Sequence, residues 1–395
     1  KMLRAISQKT GTCYQRCVGF DAMNATYTVT YECDQALGTD YHERFKKFLI
    51  QVQDNDWMVA GAMTDVKGNR SLRPGQQVDP DMFVHVVEKR EDGIVIRGAK
   101  AHMTGMVNSH WMLIMPTMGM QENEAEYAVS CAIPVDAPGV THIFGRQTND
   151  DRKCEGTIDQ GNANYGIVGG ECLTVLDNVF VPWEYVFMCG EYQFSGLLVE
   201  RFACYHRSNY GCKGGVSDVV IGAAALWADY QGTSKASHIK DKLNEMMHMT
   251  ETLYACAVAA AAMGGPTPSG AYFVDRLMAN VCKHNVTKLI YDIDRLAQDI
   301  SGGIIATMPS EADLRNPEIG KWVEKYLRGV DGVPTEDRMR VGRLLENMTG
   351  GTALVESMHG AGSPQAQKVM YSKLSGLEQK KKFAAHIAGV GHSEE

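Results

Sequence analysis

The spacing of apolar residues changes twice along the chain and separates three regions. In the first region, the segment YHERFKKFLIQVQDND places Phe45, Phe48, Leu49 and Val52 at helical spacing. The opening segment KMLRAISQKT has the same character, and because it starts inside a helical pattern we expect the natural N-terminus to lie upstream. The pattern predicts an N-terminal helical domain over residues 1–90.

The second region alternates like β-structure. The segments GIVIRGAKAHM, YAVSCAIPV and ECLTVLDNVFVPW are rich in β-branched residues and are bounded by Gly, Asp and Pro. We therefore predict a middle β domain over residues 91–195.

The third region returns to helical spacing. The segment VSDVVIGAAALWADY is apolar nearly all round, which is typical of a buried helix. Further helices are predicted over 237–263, over 269–301 with Gly302 and Gly303 at its end, and in PTEDRMRVGRLLENM. Long antiparallel helices predict a C-terminal four-helix bundle over 196–395, so the fold class is α+β.

Composition narrows the function classes. The chain has 395 residues, of which 44% are hydrophobic and 22% charged, with a net charge of −8. The acidic balance argues against nucleic acid as a partner. No apolar run reaches bilayer length, so we expect no membrane partner and a cytoplasmic location.

The cysteines are numerous but do not form a disulfide pattern. Their number, 11, is odd and their spacing is irregular. Reduced thiols in this number fit a reducing, anaerobic setting.

Two of the cysteines, Cys13 and Cys17, lie four residues apart and would share one helix face. The segment YHRSNYGCK offers His206 and Cys212 as further ligands, which would complete a Cys3His site. Spacing alone leaves three interpretations open: incidental core cysteines first, then structural zinc, then an iron–sulfur cluster.

Four other polar residues each have two interpretations, one as part of a site and one as an ordinary structural element. Thr104 and Asn108 follow a predicted strand, where they would bind a ligand's polar edge or simply end the strand. Glu171 opens a strand and is either a base with a raised pKa or an exposed strand start. Glu356 lies in VESMHGAGSPQAQ, whose glycines allow close approach to a ligand or form a turn between helices.

Familiar nucleotide and hydrolase motifs are absent from the sequence. No GxGxxG follows a strand, and neither a P-loop nor a GxSxG elbow occurs. This argues against a Rossmann dehydrogenase, an NTPase and an α/β-hydrolase.

Several segments together resemble the 4-hydroxybutyryl-CoA dehydratases, a branch of the flavin-dependent 4-hydroxyphenylacetate 3-hydroxylase family. They are CYQRCVGFDAMNA, GAMTDVKGNR, VEKREDGIVIRGAKAHMTGMVNSH, LDNVFVP, YHRSNYGCK, SDVVIGAAALWADY, ANVCKHN, TMPSEAD and ESMHGAGSPQAQ. The resemblance runs from Lys1 to Val390 and implies an acyl-CoA dehydrogenase-like fold.

The resemblance also implies cofactors and an assembly: FAD, a [4Fe–4S] cluster and a homotetramer. By match to the motifs, Cys13, Cys17, His206 and Cys212 would ligate the cluster, which moves the cluster interpretation to first place. The segment between His206 and Cys212 is one residue shorter than the family pattern.

The catalytic roles implied by the resemblance fall on the same segments. His206 is expected to be a ligand and a possible base, and Tyr210 a proton donor. Glu356 and Glu171 are the other acid–base candidates. Two residues beside the ligands are expected to tune the cluster: Lys213 and Gln15.

Flavin contacts are expected from two parts of the chain. Met103, Thr104 and Asn108 would face the flavin of the same subunit. Residues at the end of the third predicted helix and beyond it would reach FAD, either of the same subunit or of a neighbouring one: Gly302, Gly303 and Ser310.

The reaction implied is FAD- and [4Fe–4S]-dependent radical dehydration of an acyl-CoA, 4-hydroxybutyryl-CoA, to crotonyl-CoA, with vinylacetyl-CoA isomerase activity. The alternative enzyme is a flavin-dependent aromatic monooxygenase of the 4-hydroxyphenylacetate 3-hydroxylase type. A third interpretation is a zinc-stabilised scaffold without enzymatic activity.

Overall fold

The chain is mainly helical up to residue 54, as the apolar spacing predicted, and strands begin at residue 59. The protein is described by a computed structural model, which covers residues 1–12, 16–145, 154–162, 164 and 170–390. Its N-terminal helices are α1 (Met2–Thr10), α2 (Cys17–Leu37) and α3 (Tyr41–Asp54).

The middle of the chain forms two four-stranded sheets. Their strands are β1 (Val59–Ala62), β2 (His85–Lys89), β3 (Gly93–Met103), β4 (Trp111–Ile114), β5 (Val129–Pro134), β6 (Val140–Phe144), β7 (Cys172–Pro182) and β8 (Val186–Cys189). One sheet has the order β1-β4-β5-β8 and the other β2-β3-β7-β6. The three predicted strands are confirmed as β3, β5 and β7, while β1 and β2 lie before residue 91.

The two sheets share one apolar core. Ile94 and Ile96 of β3 meet Met112 and Ile114 of β4, and all four are fully buried. The other face of β4 is buried as well, because Leu113 lies in a second core cluster with Phe45 of α3. The sheets therefore pack face to face and hold the end of β3 in a fixed position.

The remainder of the chain is mainly helical. Its elements are α4 (Tyr192–Asn209), α5 (Cys212–Gln231), α6 (Ser237–Ala262), β9 (Gly265–Pro266), β10 (Tyr272–Phe273), α7 (Arg276–Ser301), α8 (Glu311–Arg315), α9 (Gly320–Tyr326), α10 (Thr335–Thr349), α11 (Gly351–His359), α12 (Pro364–Leu374) and α13 (Leu377–Ala388). The long helices α4 to α7 pack on one another, and α10 packs on α5 and α7. Among the described residues, none of these helices has the length and apolar character needed to cross a membrane.

The third predicted helix begins later than the sequence pattern indicated. The prediction of a start at residue 269 is wrong, because β9 and β10 form a small antiparallel hairpin there. The carboxylate of Asp275 accepts a hydrogen bond of 2.7 Å from the Met278 N–H and so caps the first turn of α7. The predicted end is confirmed: α7 stops at Ser301, and Gly302 adopts φ +72°.

Candidate active site

Helices α2 and α4 bring three ligand-type side chains together in the interior. A sulfur of Cys17, a carboxylate oxygen of Asp21 and a ring nitrogen of His206 all lie within 4.8 Å of one another. All three residues are buried. Cys17 and Asp21 share one face because they are one helical turn apart. Their partner, His206, comes from 185 residues further along the chain than Asp21.

Asp21 holds the imidazole in a defined orientation. His206 Nδ1 lies 2.8 Å from Asp21 Oδ2, and Asn209 Nδ2 donates to Asp21 Oδ1 at 2.6 Å. Burial raises the pKa of Asp21, and the hydrogen bond with His206 opposes that rise. With Nδ1 engaged, Nε2 is the nitrogen left for a metal, an arrangement that metal-binding histidines commonly use.

Of the other two predicted ligands, the structure describes one. Cys212 is buried and is the first residue of α5, separated from the end of α4 by Tyr210 and Gly211. Cys13, like the candidate Gln15, lies outside the described residues. Thiolate and imidazole donors in a buried site suit an iron–sulfur cluster or zinc, so the donor set fits the implied cofactor.

Tyr210 lies between the ligand residues and a glycine turn. Its ring meets the His206 ring edge-on, with centroids 5.4 Å apart. The Tyr210 hydroxyl approaches Gly360 so closely that a Cβ there would lie 1.9 Å from the oxygen. Glycine is therefore required at this position for the hydroxyl to stay where it is.

Lys213 and Glu356 form an ion pair across the interface of α5 and α11. The Lys213 ammonium donates to Glu356 Oε2, and the lysine side chain is almost completely buried. A charge-assisted bond of this kind fixes the carboxylate direction. Two of the predicted catalytic residues are therefore partners of each other.

Two further charged residues near this pair were not identified from the sequence. Lys283 is fully buried, and its ammonium lies 4.2 Å from the centroid of the Tyr210 ring. Burial raises the pKa of Asp294 to about 8, with the Lys213 charge opposing that rise. Both residues lie on α7, where Lys and Asp in an amphipathic helix give no sign of burial in sequence.

The predicted flavin segment lies at the end of β3. Met103 is buried, Thr104 is half-buried and Asn108 is exposed. Just before them, His102 adopts φ +58°, a conformation that L-residues other than glycine rarely take. The hydroxyl of Thr104 and the backbone of this turn offer the polar donors and acceptors that a flavin ring edge needs.

This segment is tied directly to the start of α2. Arg16 Nη1 donates to the backbone oxygen of Asn108 at 2.7 Å. Because Arg16 immediately precedes Cys17, the expected flavin segment and the ligand cluster are held by neighbouring residues.

Glu171 lies at the same end of the sheet. It precedes Cys172, which pairs with Met103 across β3 and β7. The side chain is half-buried, and its backbone oxygen accepts from the Gly145 N–H at 2.9 Å. The strand register therefore brings Glu171 next to the expected flavin segment rather than to Glu356 on α11.

Gly302, Gly303 and Ser310 are not part of this cluster. Lys283 and Ser301 are separated by about 27 Å along α7, at 1.5 Å per residue. Ser310 caps α8 and bonds the Glu155 carboxylate. Within one chain these residues lie toward the far end of the helical region.

Comparisons with known proteins agree over nearly the whole chain. The family model of the 4-hydroxyphenylacetate 3-hydroxylase N terminal matches residues 1–188, and that of its C terminal matches residues 195–389. The 4-hydroxybutyryl-CoA dehydratase/vinylacetyl-CoA-Δ-isomerase of Clostridium aminobutyricum is 54% identical, over 99% of this chain and 82% of that protein.

Solved structures show the same relationship. An oxygen-tolerant archaeal 4-hydroxybutyryl-CoA dehydratase from N. maritimus matches with a TM-score of 0.97 and 52% identity, over 100% of this chain and 79% of that chain. The oxygenase component of 4-hydroxyphenylacetate 3-monooxygenase, in complex with FAD, matches with a TM-score of 0.84 and 22% identity, over 98% and 80%.

The predicted likeness to acyl-CoA dehydrogenases is confirmed at the level of the fold. Butyryl-CoA dehydrogenase from Megasphaera elsdenii matches with a TM-score of 0.55 and 13% identity, over 94% of this chain and 79% of that chain.

Proposed function

This chain belongs to the 4-hydroxyphenylacetate 3-hydroxylase family, and we propose that it removes water from 4-hydroxybutyryl-CoA to give crotonyl-CoA and isomerises vinylacetyl-CoA. The enzyme class that follows from the 54% identical relative is a hydro-lyase with C=C isomerase activity. One observation carries the proposal: Cys17 and Asp21 of α2 meet His206 of α4 in the interior, although the two helices are far apart in the sequence. An aromatic monooxygenase of the same family would need no such ligand set.

The reaction makes unusual demands on acid–base groups. C2 loses a proton that the thioester makes moderately acidic, C3 loses an unactivated hydrogen, and C4 exchanges its hydroxyl for hydrogen. The sum is loss of one water molecule. Ordinary acid–base catalysis does not reach C3, so cofactors must supply the difficult chemistry.

The residues that would hold those cofactors follow from the motifs. Cys13, Cys17, His206 and Cys212 would hold a [4Fe–4S] cluster, and the segment containing Met103, Thr104 and Asn108 would hold FAD. When bound, FAD supplies one-electron oxidation, and the cluster iron supplies a Lewis acid for the hydroxyl. The FAD complex of the 22% identical oxygenase component supports flavin binding by this fold.

The hydrogen bond with Asp21 favours one of the two roles considered for His206. Nδ1 faces the Asp21 carboxylate and donates its proton to it, so Nε2 holds the only lone pair of the ring. Once Nε2 binds iron, the ring has no lone pair left to accept a proton. We therefore assign His206 as a ligand and leave proton abstraction at C2 to a carboxylate.

Tyr210 and Glu356 are the proton-transfer groups that the geometry supports best. The Tyr210 hydroxyl adjoins the Gly360 turn, directly after the helix that carries Glu356. Tyr210 would donate a proton to the leaving hydroxyl, and Glu356, held by Lys213, would move the proton at C2 or C4. Glu171, at the flavin end of the sheet, is the second candidate base.

The larger assembly is part of the same proposal. We propose a cytoplasmic homotetramer in which Gly302, Gly303 and Ser310 contact the FAD of a neighbouring subunit, because they lie far from the ligand cluster in their own chain. We also propose the domain division 1–90, 91–195 and 196–395.

Anaerobic purification with metal and flavin analysis tests the function. We expect FAD, about four irons per chain, and conversion of 4-hydroxybutyryl-CoA to crotonyl-CoA. Cys17→Ala should lose iron while keeping the fold, whereas Cys33→Ala, at another buried cysteine of α2, should keep it. Zinc in place of iron would overturn the proposal, and flavin with oxygenase activity but no iron would favour the monooxygenase.

A further inference from the structure

Lys283, in the segment ANVCKHN, contacts both proton-transfer candidates, although no role was predicted for it from the sequence. It lies on α7, is 0% exposed, and donates to the backbone oxygens of Ser357 at 2.5 Å and Met358 at 3.3 Å. These two residues directly follow Glu356 in the last turn of α11.

The carbonyls at the end of a helix lack partners within the helix and carry the negative end of its dipole. An ammonium group is therefore a favourable partner for the last turn of α11. Because Lys283 donates to two successive carbonyls there, it fixes the backbone that leads from Glu356 to the Gly360 turn.

The same ammonium also contacts the other candidate. Lys283 Nζ lies 4.2 Å from the centroid of the Tyr210 ring, within the range of a cation–π interaction. The Tyr210 hydroxyl in turn meets Gly360. One buried side chain thus touches Tyr210 and the segment that carries Glu356.

We propose that Lys283 is a positioning residue that sets the distance and orientation between the Tyr210 hydroxyl and the Glu356 carboxylate. The inference rests on the proposed function for the roles of those two residues. Lys283 itself is enclosed by protein, so it acts through its neighbours and not on the substrate.

The charges around Lys283 act in both directions. Burial lowers the pKa of Lys283 to about 7, the charges of Lys213 and Arg207 act in the same direction, and the Glu356 carboxylate opposes them. The ammonium form that binds the two carbonyls is therefore favoured by the same carboxylate whose backbone it fixes.

Three variants of the anaerobically purified holoenzyme test the role: Lys283→Met, Lys283→Arg and, as a control on the exposed face of the same helix, Lys288→Met. A small misplacement of catalytic groups costs about 100-fold in rate, so we expect Lys283→Met to lower kcat about 10- to 100-fold. KM, iron and flavin content should stay near wild type. Lys283→Arg should recover part of the loss, and Lys288→Met should match wild type.

A double-mutant cycle that combines Lys283→Met with Tyr210→Phe shows whether Lys283 acts through the tyrosine. We expect the double variant to be little slower than Tyr210→Phe alone, because residues that act as a unit are not additive. Full multiplication of the two losses, or a wild-type kcat per bound iron in Lys283→Met, would overturn the proposal.

Amide hydrogen exchange over residues 351–362 gives a readout independent of activity. Faster exchange there in Lys283→Met than in Lys288→Met is the expected result, and equal exchange would count against the proposal. If Lys283→Met does not fold, Lys283→Gln, which removes the charge but keeps a polar side chain, takes its place: a wild-type kcat together with wild-type exchange over residues 351–362 would overturn the role. A wild-type enzyme without dehydratase activity would defeat the proposed function, while the exchange measurement would still decide whether Lys283 fixes α11.

Discussion

At the scale of single residues, the hydrogen bond between Asp21 and His206 is the feature that most directly prepares the ligand site. A carboxylate behind a metal-binding histidine fixes the ring and raises its basicity, and its loss typically weakens metal binding about 10- to 100-fold. We therefore expect Asp21→Asn to lose iron to a chelator about 10- to 100-fold faster than wild type.

The measurement is iron retained per chain, followed by the visible spectrum during chelator challenge. Asp218→Asn is the matched control, since Asp218 is also a helix carboxylate, paired with Arg4 at 2.8 Å. Equal rates of iron loss in the Asp21 variant and this control would show that Asp21 does not support the ligand.

Residue types explain which parts of this site the sequence predicted. The resemblance of the segments around Cys17, His206 and Cys212 indicated the ligands, whereas the spacing of Cys17 with its neighbour thiol alone favoured incidental core cysteines. Asp21 and Lys283 were missed because these residue types are usually exposed. Their burial depends on partners about 185 and 74 residues away in sequence.

At the scale of elements, the ligand cluster depends on how closely α2 packs on β1. A Cβ at Gly19 would lie 1.7 Å from the backbone oxygen of Val59, and one at Gly61 would lie 2.6 Å from Val18 Cγ1. The first turn of α2, which carries Cys17, can approach the strand only because both positions are glycine.

Gly19→Ala should therefore displace the start of α2. Overpacking of this kind typically costs about 1–3 kcal/mol, and we expect a stability loss at the upper end together with reduced iron content. Urea unfolding and iron analysis measure the two effects. Gly222→Ala, in α5, is the control: a Cβ there meets nothing within 4 Å, so higher helix propensity should stabilise by up to about 1 kcal/mol. Equal behaviour of the two variants would refute the packing argument.

Elements with strong local signals were predicted well. β3 was predicted over its full length because Gly93 and the β-branched residues that follow mark a strand on their own. The predicted start of α7 was wrong because the hairpin of β9 and β10 contains Pro and Gly residues, which also fit a loop before a helix. Local pattern alone does not locate a cap such as Asp275.

At the scale of the whole molecule, the changes of apolar spacing predicted the order of helices, sheets and helices. They did not predict that one sheet joins β1 to β4 in parallel, because that pairing depends on contacts between distant segments. They also gave no sign of buried charge in the helical region, which affects the stability of the entire fold.

Asp294 makes that stability depend on pH. Its pKa is raised from 3.8 to about 8 by burial, so between those values the folded state holds a proton that the unfolded chain releases. Folding stability therefore falls as the pH rises through this window. Asp294→Asn removes the titration. We expect the free energy of unfolding of this variant, relative to wild type, to grow between pH 5 and pH 8 by up to about 4 kcal/mol, at 1.36 kcal/mol per pH unit.

Urea midpoints at several pH values measure the difference, with Asp292→Asn, on the exposed face of the same helix, as the control. Parallel pH curves for wild type and Asp294→Asn would mean that Asp294 is already ionised in the folded protein, held in that state by the nearby Lys213 charge.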